Sequence, residues 1–310
     1  EHAMTASRPA WPEIPYADWQ ATCTTLHLWS QIVGKVRLAH TPWTNHSWHV
    51  PLYVTARGLG TSLIPHPRGA FEMEFDFVSH VLSIRTVEGD DHTILLEPRS
   101  VADFYHAVME GLAGLGRETS IHGAPNEVPE AVPFARDEVH ADYDGEHARR
   151  FWEALVSMDP VFKAFRARFI GKCSPVHFFW GSFDLAVTRF SGREAPPHPG
   201  GFPNLPDVVT REAYSHEVSS AGFWPGGGPT DYAAFYAYAY PTPEGFGDRR
   251  VAPAEAFFSK ELGEFLLPYD AVRTAADPAA ALMEFLESTY AAAADLAGWD
   301  RSALERDHLP

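Results

Sequence analysis

The sequence predicts an α+β protein in which one helix–antiparallel sheet–helix unit is internally duplicated, giving two pseudo-equivalent halves packed together. Three observations predict this class: helix-like periodicity at the start and end of each half, strand-like alternation between them, and a central stretch with neither period. That stretch, residues 124–144, is rich in proline and acidic residues, which is typical of a linker. The two halves are therefore residues 11–123 and 145–305.

The opening helix of each half leads into the same order of features. Apolar residues at helical spacing are followed by a Gly-Lys pair and then by a strand-like run ending in Val-Thr. These features are Leu26, Trp29, Val33, Gly34, Lys35 and residues 52–55 in the first half, and Phe162, Phe165, Phe169, Gly171, Lys172 and residues 185–188 in the second. We interpret the shared order as an internal duplication. The alternative is that helix–sheet–helix order arose independently, as it does in unrelated domains.

The segments between the helices have the two-residue period of strands. Residues 71–77 (FEMEFDF) alternate apolar and acidic side chains, which predicts an antiparallel strand with one packed face. Residues 81–86 and 92–96 flank a Gly-Asp-Asp turn and predict a hairpin. Closing helices are predicted within residues 101–115 and 278–299. A helix lying across a curved antiparallel sheet often encloses a cavity, so we expect a ligand there.

The composition excludes several classes of partner. The formal net charge is −17 over 310 residues, so we expect no nucleic-acid partner and no docking on anionic membranes. No apolar run reaches the roughly 20 residues of a membrane-spanning helix. Two cysteines, Cys23 and Cys173, without a CxxC pair, are typical of a reducing cytoplasm. The 16 histidines are many for this length and make a titrating or metal-binding site worth testing.

Three polar, aromatic-rich segments are the candidates for a functional site. The sequence lacks the dinucleotide and phosphate-loop glycine motifs, the HExxH zinc motif and the GxSxG elbow. The segments that remain are residues 45–49 (NHSWH), 176–193 (VHFFWGSFDLAVTRFSGR) and 212–224 (EAYSHEVSSAGFW).

The second segment is interpreted as one strand, with Trp180 and Asp184 on one face and His177 on the other. Aspartate is disfavoured in strands, and a buried Asp184 would need a partner such as Arg189 or Arg193. Such a pair would be either a structural ion pair between the sheets or part of a functional site.

Histidines from the three segments could bind a divalent metal, which needs three converging ligands. The candidate ligands are His49, His177 and His216. Glu217 follows His216 and would point to the opposite face of a regular strand, so these two neighbours could not bind one metal. The alternative is that each histidine is a hydrogen-bonded core residue beside aromatic neighbours.

Aromatic residues could form the walls of a pocket. Residues 235–240 (FYAYAY) alternate, so Tyr236 and Tyr238 share a face on which their hydroxyls could line a polar site. Trp48 and Trp180 lie in the polar segments. Large aromatics are typical of pockets and of cores, and an ordinary strand with its tyrosines reaching solvent is the alternative.

The same segments resemble a bacterial family that is classed only as a domain of unknown function. The resemblance rests on residues 165–193 (FRARFIGKCSPVHFFWGSFDLAVTRFSGR), 212–226 (EAYSHEVSSAGFWPG) and 19–38 (WQATCTTLHLWSQIVGKVRL), and it extends over about residues 11–305. That family has no established activity, cofactor or catalytic residue, so the resemblance implies no roles. It implies a bacterial cytoplasmic protein.

The function predicted from these residues is that of an enzyme acting on a small molecule in a pocket formed mainly by the second half. Its reaction could proceed with or without a divalent metal. The predicted catalytic residues are His177, His216, Asp184 and Glu217, and the predicted substrate-binding residues are Trp180, Arg189, Tyr236, Tyr238 and Trp48. A histidine would act as metal ligand or general base, Asp184 would orient it, and Arg189 would hold an anionic group. The alternatives are a non-catalytic binding or sensing protein and an oligomeric scaffold.

Overall fold

The structure is a computed structural model that describes residues 10–306. Within these residues lie the α-helices α1 Tyr16–His40, α2 Val101–Gly114, α3 Gly145–Ala167, α4 Asp207–Ala213, α5 Tyr269–Arg273, α6 Pro278–Leu296 and α7 Arg301–Leu304. The strands are β1 Tyr53–Val54, β2 Gly58–Gly60, β3 Phe71–Asp76, β4 Val81–Thr86, β5 Asp91–Leu95, β6 His177–Phe179, β7 Asp184–Glu194, β8 His216–Trp224, β9 Ala234–Tyr240, β10 Phe257–Ser259 and β11 Glu264–Pro268. Helices combined with two antiparallel sheets confirm the predicted α+β class.

Each half contributes one antiparallel sheet. Strands β1 to β5 follow one another across the first sheet, and the second sheet runs β6-β7-β8-β9-β11-β10. The sheets meet where Leu52, just before β1, and Phe178 of β6 exchange backbone hydrogen bonds of 2.8 and 2.9 Å. The first strands of the two sheets therefore lie side by side, and we call this junction the seam.

The order of elements agrees with the unit predicted for each half, because α1 and α2 flank the first sheet in the chain and α3 and α6 flank the second. The Gly-Lys pairs are not equivalent in position. Gly34 and Lys35 lie inside α1, whereas Gly171 and Lys172 follow the end of α3. Descent of the two halves from one ancestor therefore stays a prediction.

One apolar core extends through both halves. Trp29 of α1 is fully buried and stacks on Phe104 of α2, with ring centroids 4.5 Å apart. Phe71, Met73 and Phe75 of β3 are also buried, which confirms the alternation predicted for the FEMEFDF run. Packing of this kind places rigid elements beneath the polar side chains described below.

The predicted linker has no strand or α-helix within residues 124–144, only a short 3-10 turn at Phe134–Arg136. It is nevertheless fixed to the rest of the protein. The backbone N–H and C=O of Asn126 each hydrogen-bond the side chain of Gln31 on α1 at 2.8 Å. The next residue, Glu127, is thereby held against the second half.

The polar segment around Asp184 forms two strands rather than the single strand predicted. Strand β6 ends at Phe179, β7 begins at Asp184, and the turn between them places Phe183 in the left-handed region with φ of 58°. Phe179 pairs with Asp184, and His177 pairs with Ala186. His177 and Asp184 therefore lie on the same face of the sheet. The predicted opposite placement is wrong, because the turn resets the alternation.

Two observations bear on the expectations from composition. Among the helices of residues 10–306, none combines the length and apolar character needed to cross a bilayer. Cys23 and Cys173 are both free thiols, the first buried and the second partly buried.

Candidate functional site

The second sheet has one face that packs on helices and one that carries polar groups. On the helix side Phe235 of β9 packs on Phe162 of α3, with ring centroids 6.5 Å apart. Alternation along the paired strands then directs a different set of side chains to the opposite face. That set includes His177, Asp184, Ser220, Gly222, Tyr236 and Tyr238.

Asp184 occupies a buried position at the centre of this polar face. It is 5% exposed, its Oδ2 accepts a hydrogen bond from the Tyr236 hydroxyl, and its Oδ1 has no partner within residues 10–306. Tyr236 reaches Asp184 over Gly222 of β8, where a Cβ would lie 2.3 Å from the tyrosine oxygen. Burial raises the pKa of Asp184 to about 7, so this carboxyl exchanges its proton near neutral pH.

Two further carboxyls accompany Asp184. Burial, and to a smaller extent the charge of Asp184, raises the pKa of Glu264 to about 7. The Oε2 atom of Glu264 is buried and has no hydrogen-bond partner within residues 10–306. Glu127 accepts a 2.6 Å hydrogen bond from the Ser182 hydroxyl, and burial raises its pKa. Tyr238 stacks beside Tyr236, with ring centroids 6.1 Å apart. We call Asp184, Glu127, Glu264, Tyr236 and Tyr238 the acidic cluster.

An open groove of about 520 Å³ lies beside the acidic cluster. Its lining includes Leu262 and Leu266, which pack with Trp224 and Tyr236. Trp224 stacks on Tyr236, with ring centroids 4.1 Å apart. The acidic residues of the lining are Asp231 and Glu261. The groove therefore adjoins the apolar packing around Tyr236, while the members of the acidic cluster are not among its lining residues.

A second group of polar side chains lies on the same face, toward the seam. His177 is fully buried, and neither ring nitrogen has a hydrogen-bond partner within residues 10–306. Burial, followed by the charges of Arg37 and Arg166, lowers the pKa of His177 to about 3. Burial and the charge of Arg37 also lower the pKa of His49, which is 3% exposed. We call Arg37, His49 and His177 the basic cluster.

Aromatic rings surround the basic cluster. The ring centroid of His177 lies 6.0 Å from that of Trp48 and 5.6 Å from that of Tyr53. The guanidinium carbon of Arg37 lies 5.2 Å from the Tyr53 ring centroid. Trp48, predicted to bind substrate, therefore belongs to the surroundings of the basic cluster and not of the acidic one.

Arg189 and Glu217 are not brought to Asp184. Arg189 points to the helix side, where its Nη2 donates to the Phe165 carbonyl at 2.5 Å and its guanidinium carbon lies 3.4 Å from the Phe165 ring centroid. Glu217 is paired with Arg193 at 2.7 Å. Arg189 and Arg193, the predicted partners of Asp184, thus bind other groups, because alternate residues of β7 face opposite sides of the sheet.

Trp180 forms a structural contact between the two halves. Its Nε1 donates to the carbonyl of Val50 at 2.8 Å. Its ring packs on Gly34 of α1, where a Cβ would come within 2.2 Å. Since Trp180 lies in the turn that precedes β7, it anchors the turn and does not line the acidic cluster.

The three histidines predicted as metal ligands do not converge. His216 hydrogen-bonds Ser215 at 2.9 Å, through Nδ1. Within residues 10–306, no group of three histidine, cysteine, aspartate or glutamate side chains is arranged to hold a metal ion. His49 and His177 instead both lie under the influence of Arg37, and a fixed positive charge disfavours binding of a second cation.

Sequence reasoning missed Arg37, Glu127 and Glu264. Glu264 begins a buried strand run (EFLLP) as Asp184 begins DLAV, so an acid at the head of an apolar strand was the available signal. Nothing local marks Glu127 in the linker or Arg37 near the end of α1. Their positions depend on contacts with distant parts of the chain.

Fold and site together define an α+β protein with two antiparallel sheets and two buried polar clusters on one face of the second. The comparison with protein-family models matches residues 11–306 to DUF5996, a family of unknown function. The match covers nearly the whole chain, so the protein belongs to this family, as the sequence resemblance indicated. Searches of curated proteins and of solved structures found no match.

Proposed function

We propose that the protein is an enzyme that transfers a proton to or from a small molecule at the Asp184–Tyr236 pair. The observation that carries this proposal is a buried carboxyl with one oxygen held by a tyrosine hydroxyl and the other oxygen unpartnered within residues 10–306. A general acid or base needs both a fixed orientation and a free proton-transfer atom. Tyr236 would supply the orientation, and Oδ1 of Asp184 would be the transfer atom.

The second carboxyl gives the site an acid and a base at the same pH. Burial raises the pKa values of Asp184 and Glu264 to about 7, with a further rise from the charge of Glu127 on Asp184 and from the charge of Asp184 on Glu264. Two coupled acids of this kind share protons, so that one is protonated while the other is ionised. The pair would therefore support reactions that need a proton donor and a proton acceptor in one turnover.

The surroundings favour a neutral or cationic substrate. The groove carries Asp231 and Glu261, and the adjoining cluster carries three more carboxyls, so an anion would be repelled. Its volume of about 520 Å³ suits a small molecule. Tyr16, Tyr232 and Phe257, which line the groove, would provide an aromatic surface for it. The histidines expected to be catalytic have no part in this scheme.

The test is a thermal-shift screen of neutral and cationic small molecules, followed by mass spectrometry of the wild-type protein incubated with each ligand. The variant Asp184→Asn keeps the shape of the side chain but cannot exchange a proton. We expect it to bind the ligand with similar affinity and to lose about 10²–10⁴-fold in turnover.

Asp137→Asn is the matched control, since Asp137 is also buried but hydrogen-bonds the backbone N–H groups of Val139 and His140 and the His140 ring instead of the acidic cluster. Its turnover should stay near the wild-type rate. Equal turnover by Asp184→Asn would contradict the proposal. A ligand that stabilises the wild type without ever being converted would favour the non-catalytic binding protein instead.

A further inference from the structure

We propose that the basic cluster of Arg37, His49 and His177 binds one small oxyanion, either inorganic phosphate or a carboxylate, at the seam between the halves. The cluster draws on both halves, because Arg37 comes from α1, His49 from the loop before β1, and His177 from β6. It lies one residue from the Leu52–Phe178 backbone pair. This proposal is independent of the proton-transfer function and of Asp184.

The first argument is the number of buried nitrogens without a partner. Both ring nitrogens of His177, Nε2 of His49 and Nε of Arg37 are buried and have no hydrogen-bond partner within residues 10–306. The three side chains are 0%, 3% and 7% exposed, respectively. A buried polar group without a partner is costly, so several of them in one place indicate a shared ligand.

The second argument is proximity. Arg37 and His177 both contact the ring of Tyr53, at 5.2 and 5.6 Å from its centroid. The charge of Arg37 also shifts the pKa of His49 and of His177 downward, in each case after the larger effect of burial. One guanidinium therefore lies close enough to influence both imidazoles, and the proposed ligand would be shared among the three side chains.

The third argument concerns which nitrogens are donors. Nδ1 of His49 lies 3.1 Å from the backbone nitrogen of Thr44 and 3.2 Å from its carbonyl oxygen, and in the tautomer that accepts from the Thr44 N–H the ring proton is on Nε2. Nε of Arg37 always carries a proton, and neutral His177 carries one on either nitrogen. The unpartnered atoms thus offer two N–H donors, from Arg37 and His177, and a third in that tautomer of His49, which suits an acceptor with several oxygens.

The fourth argument is the sign of the charge. The charged groups that shift His177 are Arg37 and Arg166, both cationic. Lys172 adds a third cation, with Nζ 5.3 Å from the centroid of the Trp48 ring that also contacts His177. One acid also acts on the cluster: Glu212 raises the pKa of His49, and it accepts a hydrogen bond from Trp43. In a chain of net charge −17, this local excess of positive charge favours an anion over water or a metal ion.

The test is isothermal titration calorimetry of extensively dialysed wild-type protein with inorganic phosphate and, separately, with acetate. We expect saturable one-to-one binding of at least one of them, and the tighter anion identifies the source. His177→Phe and His49→Phe should each weaken binding at least tenfold, because each removes an N–H donor. In His177→Phe the new ring occupies the space of the imidazole among apolar neighbours. If that variant does not fold, His49→Phe provides the test.

His80→Phe is the matched control, since the ring of His80 hydrogen-bonds the hydroxyl of Tyr143 in the linker at 3.0 Å and does not belong to the basic cluster. It should bind the anion like the wild type, and so should Asp184→Asn, which separates this site from the proposed active site. Absence of binding of both anions to the wild type would overturn the proposal and leave a buried water as the occupant. If His177→Phe and His49→Phe both bind the anion as tightly as the wild type does, the proposal is overturned as well.

Discussion

The acidic and the basic cluster lie on one face of the second sheet, yet they differ in how their buried charges can be neutralised. Asp184 and Glu264 can hold a proton and become neutral, and burial raises the pKa of each to about 7. His177 can likewise give up its proton, and its pKa falls to about 3. Arg37 has no such option, because a guanidinium stays protonated in proteins.

The difference shows which cluster needs a ligand. A buried carboxyl can be satisfied by protonation together with the Tyr236 hydroxyl, so the acidic cluster is stable by itself and free to exchange protons. The buried Arg37 donates from Nη1 to the carbonyl of Pro51, but its Nε has no hydrogen-bond partner within residues 10–306 and its charge persists. This contrast is the basis for proposing proton transfer at the acidic cluster and ligand binding at the basic one.

The largest expected effect comes from Gly222→Ala, which would break the acidic cluster and spare the basic one. The added Cβ would lie 2.3 Å from the Tyr236 oxygen and 2.5 Å from the Leu185 carbonyl oxygen. We expect the free energy of unfolding to fall by about 3 kcal/mol, measured by urea denaturation. Gly228→Ala is the control, because no atom lies within 4 Å of its added Cβ. Equal stability of the two variants would show that Tyr236 does not depend on Gly222.

The next effect is the pH dependence of stability caused by Asp184. Its pKa is about 7 in the folded protein and about 4 in an unfolded chain. The folded state therefore binds the proton more tightly, and this stabilisation is present below about pH 4 and is lost as the pH rises to about 7.

Asp184→Asn should remove that loss and raise the free energy of unfolding at pH 8 by about 2 kcal/mol, while changing little at pH 4. Denaturation curves at the two pH values, for wild type and variant, provide the measurement. A variant that is less stable than the wild type at pH 8 would mean that the ionised carboxylate is itself stabilising, and the contrast between the clusters would fail.

The smallest effect concerns the basic cluster without its proposed ligand. In buffer free of oxyanions, His177→Phe should raise the free energy of unfolding by about 1 kcal/mol, because it removes unpartnered nitrogens from among Trp48, Tyr53 and Phe179. Adding phosphate or acetate should then stabilise only the wild type. A destabilised variant in anion-free buffer would indicate that His177 has a satisfied role in the core.

The α+β class and the alternation of residues 71–77 were predictable, because each depends on a period within a few residues. The face of His177 was not, since an unrecognised turn at Phe183 reversed the chain. The partner of Asp184 was not predictable either. That partner is Tyr236, 52 residues away, and the contact requires Gly222 on the strand between them.

The backbone pair of Leu52 and Phe178 also bears on self-association. Two separate sheets would present four edges, each able to add a strand from another chain. Joined at this pair, β1 and β6 lie against each other, and the outer strands of the described residues are β5 and β10. β10 has only three residues, and β5 begins with Asp91 and His92. Short or charged edges resist strand addition, so the union of the two sheets also protects the protein from aggregation through its strands.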